Sequence, residues 1–179
     1  MALTMTESNT KVIQARAAIA NAKILERLSA FKPEIVSTIF VEFDVEDSDI
    51  DIICRYMHKP RFVDTLKSFY GDSEQFSCDI RNDHVLSRFY YQGFLFEIYG
   101  STLPVNEQMA YQHYKVMQRL SKMGGKRFQQ QVRHKKRNGF KTEPAIASLL
   151  QLSGNPYQAV LALNDHSDIE LAGYLKHCV

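Results

Sequence analysis

The chain has no uninterrupted apolar stretch of eighteen residues, so a membrane-spanning helix is not expected, and its N-terminus, which carries Glu7, lacks the apolar run of a secretory leader. Cysteine is scarce as well. Cys54, Cys78 and Cys178 are odd in number and far apart, with no CxxC or Cys/His ligand spacing, which argues against a disulfide framework and a zinc site. These absences together predict a cytoplasmic protein. Internal repeats and low-complexity tracts are also missing. What remains is a chain of 179 residues, 45% hydrophobic and 23% charged, enough for a folded core.

Acidic residues are absent where basic ones crowd. Gln108 to Thr142 contains ten Lys/Arg and no Asp or Glu, while seven of the twenty acids fall between Glu34 and Asp51. This asymmetry suggests that the acidic segment holds cations and that the basic segment, 126–141 above all, receives the phosphates of a nucleotide or nucleic acid. A solvated basic helix face is the competing reading.

Apolar periodicity predicts a helix over about 11–31, with Ile13, Ala17, Ala20, Ile24 and Leu28 on its buried face and Ser8 or Asn9 as cap. Segments 35–43 and 49–56 read as strands, the first in part helical, joined by an acidic turn. A short helix follows Lys59-Pro60 and ends at Gly71. Runs 75–81, 84–92 and 94–99 complete a mixed sheet of four to five strands, with Asn82-Asp83 as a hairpin turn. From Pro104 the pattern is helical: 105–123, a break at Gly124-Gly125, then 126–138, 143–152, 156–163, and a last helix opened by the Ser167/Glu170 capping box. The predicted fold is α+β, a mixed sheet of four to five strands with flanking helices followed by a helical C-terminal half. The predicted division is a core at 1–103 and a helical subdomain at 104–179, in one compact unit.

Asp49-Ile50-Asp51 opens an apolar β-branched run, and on a strand residues i and i+2 face the same way. Paired carboxylates on one face suit a pair of divalent cations in phosphoryl transfer. Glu97 is the natural third acid, because strand alternation sets Phe94, Phe96 and Ile98 on one face and Leu95, Glu97 and Tyr99 on the other. A mid-strand charge is costly unless it is paired or bound to metal. The alternatives are an ordinary strand-entry turn at Ser48-Asp49 and an edge carboxylate in water. On the helix that follows, Lys115 and Arg119 share a face near His113 and Tyr111, which suits a phosphate or base contact as well as simple exposure.

Ser37-Thr38, then Asp49-x-Asp51, then a strand acid at Glu97 resemble the DNA polymerase β-like nucleotidyltransferase superfamily. The blocks Asp47 to Cys54, Phe94 to Gly100, Pro104 to His113, Lys141 to Ala145 and Gly154 to Tyr157 are similar to a bacterial nucleotidyltransferase-like domain family of uncharacterised function within it. The resemblance implies transfer of a nucleoside monophosphate from a nucleoside triphosphate to an acceptor hydroxyl. It further implies Mg²⁺ or Mn²⁺ on Asp49, Asp51 and Glu97, and nucleotide contacts from Ser37, Thr38, Ser48, Lys115 and Arg119. The acceptor, whether small molecule, protein or RNA, is not implied. Two departures stand out: Ser37 replaces the superfamily's glycine, and Asp47 replaces the close relatives' glycine. The altered Ser37 position motivates a second expectation, a catalytically weakened nucleotide- or RNA-binding regulatory module, and the resemblance itself implies a third, a member of a toxin-antitoxin pair.

Overall fold

The computed structural model describes residues 7–176 and 178. The chain divides into two compact units, one of Met1–Phe40 with Ser48–Gln108 and one of Val41–Asp47 with Met109–Val179.

The first unit is built on a five-stranded mixed sheet in the order β1-β2-β5-β4-β3, with β1 Glu34–Ile35, β2 Ile50–Arg55, β3 Glu74–Ile80, β4 His84–Tyr91 and β5 Phe94–Ser101. β2 and β5 run parallel, and every other pair is antiparallel. Alternation sends Ile50, Ile52, Val85, Phe89, Phe96 and Ile98 to one face, where they are buried with residues of α1 (Glu7–Asn21), α2 (Ile24–Arg27) and α3 (Lys59–Tyr70). Stacked rings tie this core together: Tyr70 lies on Phe89 at 4.6 Å and Phe89 on Phe96 at 5.0 Å between centroids. Pro60 enters the first turn of α3, where its missing N–H costs nothing.

Two local expectations need correction. The first helix stops at Asn21, because Lys23 takes a left-handed backbone (φ 53°), and Ser8 and Asn9 fall inside it instead of capping it. Its buried face is Ala15, Ala18 and Ile19, whereas Ile13, Ala17 and Ala20 are exposed, since the break separates their register from that of Ile24 and Leu28. Likewise, the strand part of the 35–43 segment is only Ile35, the end of β1, while its helical part is the 3₁₀ turn Thr38–Val41. Ser37 causes the change of course. Its hydroxyl, fully buried, donates to the Asp49 carbonyl at 2.6 Å and accepts from the Ile39 amide at 3.3 Å, competing with a sheet ladder.

The second unit is helical. α4 (Met109–Arg137) is interrupted at Gly125 (φ 58°, ψ −160°), beside Gly124, whose position a Cβ would share with the Phe128 ring. It is followed by α5 (Thr142–Leu149), α6 (Pro156–Ala162) and α7 (Asp168–Leu175). Asn155 caps α6 by accepting from the Tyr157 and Gln158 amides, and the Ser167/Glu170 capping box on α7 forms with both of its bonds. Segment 41–47 belongs to this unit: Ser121 Oγ donates to the Val41 carbonyl at 2.7 Å and Lys136 Nζ to the Phe43 carbonyl at 2.8 Å.

Candidate functional site

Strand register brings the site residues of the first unit together. Asp51 on β2 is the partner of Glu97 on β5, and Glu97 in turn is the partner of Arg88 on β4. Neighbouring strands lie about 4.8 Å apart, so three charges form one row across three strands, on the face opposite the aromatic core. Asp51 and Glu97 are both half-buried. Asp49 precedes β2 by one residue, its carbonyl held by Ser37 Oγ. Ser48 and Thr38 flank these groups in sequence, and both are engaged by neighbours.

Arg88 was not among the residues expected at the site. Its Nε donates to Glu97 Oε2 at 2.7 Å, with side-chain exposures of 43% and 29%. A readable signal existed: a turn at Gln92-Gly93, with both residues at positive φ, pairs Tyr91 with Phe94 and thereby Arg88 with Glu97. Glu97 is therefore neither a solvated edge residue nor, as it stands, part of a preformed metal cage. Among the described residues no three His, Cys, Asp or Glu side chains converge to hold a metal ion.

The donor chemistry nonetheless fits a hard divalent cation. Mg²⁺ prefers carboxylate oxygen and is commonly bound by one or two carboxylates, with substrate phosphate oxygens completing its shell. Asp51 beside Glu97, with Asp49 just upstream, supplies such oxygens. The serine in place of glycine at position 37 imposes no forbidden backbone, because Ser37 and Thr38 are not among the residues at positive φ. Its hydroxyl, however, serves the loop: with both donor and acceptor engaged, Ser37 fixes Asp49 instead of offering a ready phosphate contact.

The expected sites on the helical unit come out differently. Arg119 is spent on its own framework, donating to Asp168 Oδ1 at 2.8 and 3.1 Å and to the Leu163 and His166 carbonyls at 3.3 and 2.6 Å. That closes the end of α6 and the start of α7, so Arg119 serves the helical framework. His113 is buried, with Nε2 donating to the Tyr157 carbonyl at 2.9 Å and Nδ1 at 3.5 Å from Glu143. It ties α4 to α5 and α6. Lys115 is exposed.

The acidic and basic segments, expected to act apart, largely neutralise each other. Glu42 pairs with Lys126, Asp44 with Arg133 at 3.3 Å, and Glu46 with Arg137 at 2.9 Å. Alternate acids of an irregular segment thus meet one stripe of α4. A second basic stripe does not take part. Arg127, His134 and Lys135, with Gln130, Gln131 and Leu149, line a cavity of about 250 Å³.

Burial pushes the Cys54 thiol far up, so it is no nucleophile. Tyr99, beside Glu97 on β5, is likewise raised by burial and then by Asp83.

The mixed sheet with its parallel β2–β5 pair is a fold shared with known poly(U) polymerases and terminal U-transferases. Solved structures bear this out: a Cid1 poly(U) polymerase mutant bound to MgATP matches with TM-score 0.58 and 14% identity over 85% of this chain and 49% of that one. The same polymerase with MgGTP bound matches with TM-score 0.56, 16% identity and coverages of 85% and 49%. A cytoplasmic RNA terminal U-transferase matches with TM-score 0.54, 17% identity and coverages of 87% and 46%. The chain spans about half the length of these relatives. Residues 17–163 match the model of a domain of unknown function, DUF4269, and the chain belongs to that family. No curated protein matches the sequence significantly. Among the described residues no helix is long and apolar enough to cross a membrane.

Proposed function

We propose that the chain is a metal-dependent nucleotidyltransferase that moves a nucleoside monophosphate from a nucleoside triphosphate to an acceptor hydroxyl. The observation that carries this reading is the register of Asp51 beside Glu97, downstream of Asp49, on the parallel strand pair. In the reaction the acceptor oxygen forms a bond to the α-phosphorus, the bond to the bridging oxygen of the β-phosphate breaks, and pyrophosphate leaves. Asp49, Asp51 and Glu97 would hold Mg²⁺ or Mn²⁺, which when bound neutralises charge developing on the phosphates. Glu97 takes up the acceptor's proton as the new bond forms. Ser37 keeps Asp49 in place through its carbonyl, and Thr38 and Ser48, which flank Ser37 and Asp49 in sequence, would contact the triphosphate. Calorimetric titration of the protein with ATP, GTP, CTP and UTP in Mg²⁺ tests the proposal: binding of at least one, lost in Asp51→Asn, is expected. Failure of a folded protein to bind any of them would overturn it.

The basic cavity favours a particular acceptor. Among the described residues its lining contains no carboxylate, while the adjacent basic stripe is paired with acids, so Arg127 and Lys135 present positive charge beside Leu149. Cations suit phosphates, and the Gln130 and Gln131 amides suit base edges. Single-stranded nucleic acid is accordingly the acceptor class we propose.

A further inference from the structure

Two carboxylates on adjacent strands repel each other unless a positive charge stands near. In this chain that charge is built in. Glu97 lies between Asp51 on one side and Arg88 on the other, and its carboxylate turns to Arg88. Arg88 sits within the otherwise uncharged stretch Val85 to Tyr91 of β4, on the strand face that alternation gives to Glu97. Its side chain is nearly half exposed, so packing does not confine it there, and a bond to a carboxylate is among the stronger kinds of hydrogen bond.

We infer that Arg88 is an internal counter-ion that competes with the divalent cation for Glu97 and thereby sets the metal affinity of the site. The inference rests on the nucleotidyltransferase reading for the presence of a metal at Glu97. Without metal, the Arg88 guanidinium satisfies the Glu97 carboxylate and relieves its repulsion with Asp51. A cation arriving at Glu97 must displace that hydrogen bond and also approach a fixed positive charge, and both effects weaken its binding. Arg88 is thus a positioning residue: it acts through Glu97 and determines when that carboxylate becomes a ligand. Two events follow from one exchange, since the released guanidinium is a free fork of donors suited to a phosphate oxygen.

The test is a titration of the full chain with Mn²⁺ alone, without nucleotide, read by loss of the free-ion electron paramagnetic resonance signal. Arg88→Gln is expected to tighten Mn²⁺ binding about tenfold, the order of one partly exposed charge-assisted hydrogen bond. Arg88→Lys, which keeps the charge but loses the planar fork, is expected to fall between Arg88→Gln and the native chain. In a Glu97→Gln background the Arg88→Gln effect is expected to vanish, an interaction that a merely structural arginine would not show. Circular dichroism confirms that each variant is folded, and Arg88→Lys keeps the test open if Arg88→Gln is not. Unchanged or weaker Mn²⁺ binding in both Arg88 variants, with binding by the native chain, overturns the inference alone. Absence of Mn²⁺ binding in the native chain and in every folded variant overturns the metal reading and the inference with it.

Discussion

Replacing Gly100 with alanine probes the element that carries Glu97. Gly100 lies on β5 between Cys54 of β2 and Val85 of β4, so its backbone is held on both sides. A Cβ there would stand 2.2 Å from Cε1 and 2.7 Å from Cζ of Phe62 on α3, far inside contact distance. The ring cannot swing away freely: Phe62 is fully buried, stacked on Tyr56 at 5.4 Å and edge-on to Phe31 at 4.8 Å. Inserting one methyl into such packing costs about 1–3 kcal/mol. For a chain of this size that lowers the melting midpoint by roughly 2–12 °C. Urea denaturation followed by circular dichroism measures it directly, and Phe62→Leu supplies the control. A smaller side chain at 62 should accept the methyl, so Gly100→Ala in that background should cost less than half as much. An alanine variant as stable as the native chain, or an equal cost in both backgrounds, would refute the packing argument.

Tyr70 gives a pH prediction. Burial pushes its hydroxyl from the usual 10 up to about 12, against partial relief from Arg27, so the neutral form is favoured in the folded state. Its contribution is complete below pH 10 and is lost as pH rises through 12, so stability should fall over that interval. Tyr70→Phe should flatten that alkaline slope in denaturation curves, and an unchanged slope would count against the assignment. For the basic cavity, fluorescence anisotropy with a labelled single-stranded oligouridine should show salt-dependent binding. Arg127→Gln with Lys135→Gln should weaken it and reduce the salt slope by about 1.4, at about 0.7 per lost phosphate contact. Equal binding by the variant, or equally tight binding of duplex, would sink the acceptor proposal.

Strand alternation made much of the first unit legible. It placed Glu97 on the face away from Phe96 and Ile98, and the glycine and asparagine turns located the hairpins. Antiparallel register was readable too, since the two-residue turn at Gln92-Gly93 pairs Arg88 with Glu97. The parallel pairing of Asp51 with Glu97 was not, because no local turn joins β2 to β5 and α3, β3 and β4 intervene. Only the resemblance of the acidic motifs pointed to it. In the first helix, periodicity failed because a left-handed Lys23 divides what looks like one pattern into two.

Charge was legible in amount but not in destination. In the sequence Glu42, Asp44 and Glu46 form one acidic segment with Asp49 and Asp51, yet the first three meet Lys126, Arg133 and Arg137 and leave the candidate site to the last two. Sequence alone does not say which acids of such a segment will meet which bases of the helix. Arg119 shows the same limit, since its helical position suits a phosphate while its donors are taken by carbonyls of the turn between α6 and α7 and by Asp168. Polar satisfaction within the fold takes precedence over binding.

Calorimetry of the native chain and Asp51→Asn with each nucleoside triphosphate, with and without Mg²⁺, tests the central claim most directly. Mg²⁺-dependent binding of at least one nucleotide by the native chain, lost in the variant, is the expected result. Binding that persists unchanged in Asp51→Asn, or no binding by the folded native chain, would contradict it.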